Sequence, residues 1–190
     1  MGSKKQSILD TGSFRLLVFF MDNPYDTVYL REAAKKIGLS PSAVKKYADL
    51  LLSENLIVEE RRANLRYFKS NIDNPAFRHF KIAHNLGLIE KSGLIKYLVE
   101  KIPNVSSVVL FGSMARGEND KGSDLDLLVI GSKKQVNLTE YQEKIMGEIN
   151  MHNFSWGEWK GKASEDRPFH DEVIMNGIPL FGEMPQIPWK

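Results

Sequence analysis

Residues Ser107–Ile130 read SVVLFGSMARGENDKGSDLDLLVI: two apolar runs, Val108 to Phe111 and Leu125 to Ile130, separated by a polar, glycine-containing loop. Each run is short and rich in branched side chains, the pattern of a buried strand. Asp124 and Asp126 open the second run, and side chains two apart on a strand leave from the same face. Like charges about 4 Å apart repel by roughly 4 kcal/mol at an effective dielectric of 20, so such a pair asks for a cation. Oxygen-only donors favour a hard ion, Mg²⁺ over softer metals. Gly112-Ser113 closes the first run. Glycine lets a ligand come close to the backbone, free N–H groups at a helix start attract phosphate, and the serine hydroxyl adds a donor. The stretch therefore reads as a phosphate cradle facing a magnesium site.

Gly112, Ser113, ten intervening residues and Asp124-Leu125-Asp126 resemble the G-S-x10-D-x-D signature of the polymerase-beta-like nucleotidyltransferase superfamily. Arg116, Gly117, Ser123 and Leu127-Leu128-Val129 extend the likeness to its minimal, stand-alone prokaryotic members. The resemblance implies a small domain with a mixed sheet flanked by helices. It further implies Mg²⁺ on catalytic Asp124 and Asp126, and a nucleoside triphosphate, with ATP expected, held by Gly112, Ser113, Arg116 and Ser123. A second Mg²⁺ about 3.5–4 Å away would activate an acceptor hydroxyl for in-line attack on the α-phosphorus, with pyrophosphate leaving. The implied acceptor is a protein side chain, a small molecule or a nucleic-acid end, and some small relatives are antitoxins that adenylylate a partner toxin. Related enzymes bring a third carboxylate on the following strand. Here that run is INMHNFSW, Ile149 to Trp156, and holds no acid. Asn150 or His152 stands near the expected position, and Glu158 is the nearest carboxylate downstream. Either Glu158 or His152 substitutes, or catalysis is weak or lost and the fold senses nucleotide or supports assembly.

Outward from this stretch, the 190-residue chain has room for two small cores, and 42% hydrophobic with 26% charged residues reads as globular. There are no cysteines, which excludes disulfides and thiolate metal sites and suits a reducing cytoplasm. No apolar run has the length of a membrane span, so no membrane partner is expected. The formal net charge of +2 is unevenly spread: +4 over residues 1–70, +2 over 71–110 and −4 over 111–190. The basic front suggests a polyanionic partner.

The front also has a pattern of its own. Ser7 to Met21, with Ile8, Leu9, Phe14 and Leu16 to Phe20, reads as a buried helix starting near Thr11 or Ser13 and stopped by Asn23-Pro24. Tyr29 to Ile37 reads as a short helix ended by Gly38. Ser40-Pro41 caps the next, which runs to about Glu54 and buries Val44, Ala48 and Leu51. Leu56-Ile57-Val58-Glu59-Glu60 and Leu65-Arg66-Tyr67-Phe68-Lys69 flank Arg61-Arg62-Ala63-Asn64 as a strand-loop-strand. Residues 7–70 thus resemble the winged helix-turn-helix domains that bind double-stranded DNA, and winged helices also serve as protein-interaction modules. For DNA, the resemblance puts Ser42, Lys45 and Lys46 in the major groove and Arg61, Arg62 and Arg66 on the wing. It also implies a homodimer on half-sites about 34 Å apart.

Apolar residues recur at helical spacing over 75–102, where Gly87 and Gly93 predict a kink or break. His79 and His84, five apart, do not share a helical face and read as surface or packing residues. Further helices are expected over Thr139–Ile149 and Glu165–Asn176, with a third strand over Ile149–Trp156 and an edge strand over Gly177–Gly182. Trp156, Trp159 and Trp189 read as core and rim. The whole is α/β, in the α+β sense: a winged helix-turn-helix over 1–72, a helical connector over 73–102 and a nucleotidyltransferase domain over 103–190.

Overall fold

The computed structural model describes residues 11–187, and Ser7, Ile8, Leu9 and Trp189, assigned above to a helix and to core or rim, lie outside them. The chain divides between Lys81 and Ile82 into two compact units.

In the first unit, α1 (Gly12–Asp22) ends at Asn23, whose side-chain amide donates to the Phe19 carbonyl at 2.7 Å. A two-residue strand, β1 (Val28–Tyr29), precedes α2 (Leu30–Ile37), which stops at Gly38 with φ +66°. A left-handed turn there costs glycine nothing, and it frees the chain to restart at once. The restart is α3 (Pro41–Ser53), where the Ser40 hydroxyl accepts from the Ala43 N–H and proline fills the first turn. A hairpin follows, β2 (Ile57–Arg62) and β3 (Leu65–Ser70). The antiparallel sheet runs β1-β3-β2. β1 escapes the sequence because two residues show no period; it is held by pairing Val28 with Phe68. Arg62 pairs with Leu65, so the turn is only Ala63-Asn64. Arg61 and Arg62, expected in the loop, are strand residues. The core gathers Leu16, Phe20, Val44, Ile57, Phe68 and Phe77, all at most 1% exposed.

Phe77 lies on α4 (Pro75–Ser92), the helix in which the division falls. Its later residue Ile89 belongs to the core of the second unit. Gly87 does not interrupt α4, whereas Gly93, at φ +77°, ends it and starts α5 (Leu94–Lys101). Segment 73–102 is thus shared between the units.

The second unit continues with β4 (Ser107–Phe111), α6 (Gly112–Arg116), β5 (Leu125–Ile130), α7 (Thr139–Ile145), β6 (Ile149–Phe154), α8 (Trp156–Glu165), α9 (Arg167–Asn176) and β7 (Ile178–Gly182). Its sheet runs β6-β5-β4-β7, with β5 and β6 parallel and the other pairs antiparallel. A mixed sheet flanked by helices is the expected architecture. Alternation along the central strands feeds two cores. Val108, Leu110, Leu125, Leu127 and Val129 pack with Leu94 and Leu98 of α5, whereas Val109, Phe111, Leu128 and Ile130 pack with Trp159 of α8 and Val173 of α9. By the same alternation Asp126 belongs to the second face. α8 was not expected from the sequence, although its start carries the Ser-x-x-Glu signature of a capping box, Ser155 with Glu158. No helix among the described residues is long and apolar enough to cross a membrane.

Candidate active site

Three strand positions set the site. Phe111 pairs with Asp126 across β4 and β5, and Asp126 pairs with Asn150 across β5 and β6. Gly112, next after Phe111, therefore arrives directly over the Asp126 carboxylate. Its φ is +71°, and a Cβ there would stand 2.2 Å from Asp126 Oδ2. Both the backbone conformation and the space thus require glycine. On the other side, Asn150 Nδ2 donates to Asp124 Oδ2 at 2.9 Å and, more weakly, to Asp126 Oδ1 at 3.4 Å. The two carboxylates face the same amide and hence each other's field.

Burial raises the pKa of Asp126, the charge of Asp124 raises it further, and the Asn150 hydrogen bond, His152 and Arg116 oppose the rise. A half-buried acid beside a second acid is stabilised by a cation, and the donors are hard oxygens. Asp124 and Asp126 thus fit a divalent ion of the Mg²⁺ class. Among the described residues no group of three or more His, Cys, Asp or Glu side chains is suited to a metal, so the site has two acids and an amide.

Of the other anticipated nucleotide ligands, Arg116 and Ser123 have side-chain partners of their own. Ser113 stands in the first turn of α6, half-buried. Arg116 donates from Nε to Glu118 at 2.8 Å and pairs through Nη1 with Glu172 of α9, two carboxylates that raise its pKa. Ser123 Oγ accepts from the Asp120 N–H at 2.9 Å and donates to Asp120 Oδ1 at 3.1 Å, folding the loop that delivers Asp124.

Of the two proposed substitutes for a third acid, Glu158 is committed elsewhere. It accepts from the Ser155 N–H and hydroxyl, each at 2.9 Å, and from Lys133 at 2.9 Å, which together bring its pKa down to about 2. It also follows the far end of β6: Asn150 to Phe154 alone spans about 13 Å at roughly 3.3 Å per residue. His152 is on the same face of β6 as Asn150, exposed, with its ring 5.6 Å from Phe111 and 5.1 Å from Phe169.

Two contributors were not read from the sequence. Asn85 of α4, 2% exposed, donates to the Met114 carbonyl at 2.9 Å and to Asn119 Oδ1 at 2.8 Å, tying α6 to the loop after it. A polar residue at a helix position flanked by Ile82, Leu86 and Ile89 was the available signal. Glu172 reaches Arg116 across 56 positions of sequence, and nothing local announces that.

In the first unit Ser42, Lys45 and Lys46 are exposed on α3, and among the described residues neither lysine pairs with a carboxylate. The three arginines anticipated on a wing are all paired. Arg61 meets Glu59 at 2.9 Å and Arg62 meets Glu60 at 3.0 Å. Arg66 binds Asp49 and Glu59 at 2.7 Å each and lies over the Phe68 ring.

Residues 91–155 match the nucleotidyltransferase domain family, a span that holds Gly112, Asp124, Asp126 and Asn150 and supports the superfamily reading. A search of curated proteins finds no match. Among solved structures, a toxin–antitoxin complex with AMP-PNP is 21% identical, with a TM-score of 0.37 over 47% of this chain and 71% of that one. A mutant of the toxin–antitoxin MntA–HpeT is 19% identical, with a TM-score of 0.35 over 49% and 72%. A mutant of Lactococcus lactis ZitR in complex with DNA is 17% identical, with a TM-score of 0.30 over 53% and 81%.

Proposed function

We propose that the second unit transfers a nucleoside monophosphate from a nucleoside triphosphate, ATP first among them, to an acceptor hydroxyl, using Mg²⁺ held by Asp124 and Asp126. The observation that carries the reading is the meeting of Gly112 with Asp126, whose carboxylate shares the Asn150 amide with Asp124. Gly112 leaves the backbone open to a phosphate group, and the first-turn N–H groups of α6 and the Ser113 hydroxyl are donors for its oxygens. Arg116 is a further donor once it exchanges Glu118 or Glu172 for phosphate. Ser123 acts through the loop that orients Asp124. Bound Mg²⁺ supplies neutralisation of the triphosphate and of the departing pyrophosphate. Asp124 and Asp126 would hold that charge beside the Gly112 backbone.

The first unit, in this reading, is a winged helix-turn-helix that brings the transferase to double-stranded DNA as a transcriptional regulator, through Ser42, Lys45 and Lys46 of α3 and the exposed Arg61 and Arg62. Arg66 braces the hairpin against α3. A homodimer and a protein acceptor belong to the same proposal, as does a cytoplasmic setting.

A second reading, a transferase fold that has lost its chemistry and senses nucleotide, is favoured by one observation: an amide stands beside the two acids where a further acid would complete the site. One experiment separates the two. The full chain is incubated with α-labelled ATP, Mg²⁺ and cell lysate. Transfer of label that disappears in the Asp124→Ala, Asp126→Ala double variant supports the enzyme. Nucleotide binding without transfer supports sensing.

A further inference from the structure

Asn150 takes no part in the transfer as proposed, yet no other side chain among the described residues donates a hydrogen bond to either Asp124 or Asp126. We propose that Asn150 is the third ligand position of the cation site, a neutral amide that serves the aspartates in two orientations. With Nδ2 toward them it donates to both carboxylates and holds them together. Turned half a revolution about its last side-chain bond, it presents Oδ1 in the same place. Asn side chains carry a donor and an acceptor on one planar group of nearly identical shape, and the terminal torsion of Asn is broad and roughly two-fold. The exchange therefore needs no movement of β6.

Three features place the amide rather than leave it incidental. The parallel register sets Asn150 directly beside Asp126, so its reach is fixed by the sheet. The residue is exposed, so the amide faces the side from which an ion arrives. On its own strand the flanking residues Ile149 and Met151 are turned into the opposite core, so the backbone that carries Asn150 is anchored.

The chemistry follows from charge. Two aspartates and an amide give a site of formal charge −2, which one divalent cation neutralises; a third carboxylate would leave a surplus negative charge. Affinity for hard cations rises with the number of charged ligands. The amide thus makes a site that takes a divalent ion weakly by itself and leaves the remaining oxygen ligands to an incoming triphosphate. The arriving nucleotide, rather than the free ion, then completes coordination. This inference rests on the assignment of Asp124 and Asp126 as cation ligands.

The test uses the full chain and Mn²⁺ alone, without nucleotide, with free Mn²⁺ read by electron paramagnetic resonance and folding by thermal unfolding. The wild type should bind weakly. Asn150→Asp, which keeps the shape, should bind at least tenfold tighter and should melt below the wild type without metal, recovering as Mn²⁺ is added. Asn150→Ala should bind several-fold more weakly than the wild type while still melting cooperatively. If Asn150→Ala and Asn150→Asp both bind Mn²⁺ as the wild type does, and that binding is lost in Asp124→Ala, the amide is no ligand position and the proposal falls alone. If the wild type binds no Mn²⁺ even at millimolar concentration, or its binding survives Asp124→Ala with Asp126→Ala, the proposal falls together with the cation assignment beneath it.

Discussion

Gly112 and Asp126 share a space in which the glycine has no room for a side chain and the acid is half-buried. Gly112→Ala should be inactive in label transfer and less stable by about 1–3 kcal/mol, the usual cost of a strained left-handed residue, measured by urea unfolding. Asp126 has the opposite sign. Its folded pKa lies above the ordinary 3.8 because burial and Asp124 disfavour its charge, so it weakens the fold above that folded pKa. The penalty is relieved as pH falls through it. Asp126→Asn should therefore melt higher than the wild type at pH 7, with the gap closing on acidification, and should not transfer label. Glu158, held at about 2 against an ordinary 4.5, contributes stability above pH 4.5 that fades as pH falls toward 2. Melting curves of Glu158→Gln should fall below the wild type at pH 7 and converge with it in acid.

At the scale of elements, α8 is the test of what the sheet requires. Trp159 is fully buried between α8 and the sheet and donates from Nε1 to the Pro185 carbonyl at 2.8 Å. Trp159→Ala should cost about 3–5 kcal/mol, whereas Trp156→Ala, at a 42% exposed position, should stay within about 0.5 kcal/mol. Urea midpoints compare them. The strands around the site were legible because Val108 to Phe111 is continuously apolar and Leu125 to Ile130 is apolar but for Asp126, short branched runs that fit strands covered on both sides. α8 was not, because WGEWKGKASE has two glycines and a single buried side chain, so its periodicity is nearly silent. Asp124, Asp126 and Gly112 could be named from their types and spacing. The bonds from Asn150 to that pair and from Glu172 to Arg116 could not, since the partners are joined by strand register and helix packing rather than by nearness in sequence.

Over the whole molecule, charge decides what the first unit can meet. Of the residues that the DNA reading names, Arg61, Arg62 and Arg66 are already matched by Glu59, Glu60 and Asp49, so that reading gives Lys45 and Lys46 the most to gain from a phosphate. Binding to genomic DNA fragments, followed by gel retardation against salt, should weaken in Lys45→Ala with Lys46→Ala. The slope of log K against log salt should then fall by about 0.9 for each phosphate no longer neutralised. No retardation at low salt would remove DNA from the account.

A single uninterrupted α4 supplies Phe77 to one interior and Ile89 to the other. Neither half can be dissected at residue 72 or 103 without opening a hole in what remains. A fragment beginning at residue 103 forfeits Ile89, Leu94, Leu98 and Ile102, and with them a wall of its sheet. One ending at residue 72 forfeits Phe77. Soluble expression should therefore fail for portions cut at residue 72 or 103 and recover when the first portion extends past Phe77 and the second begins before Ile89.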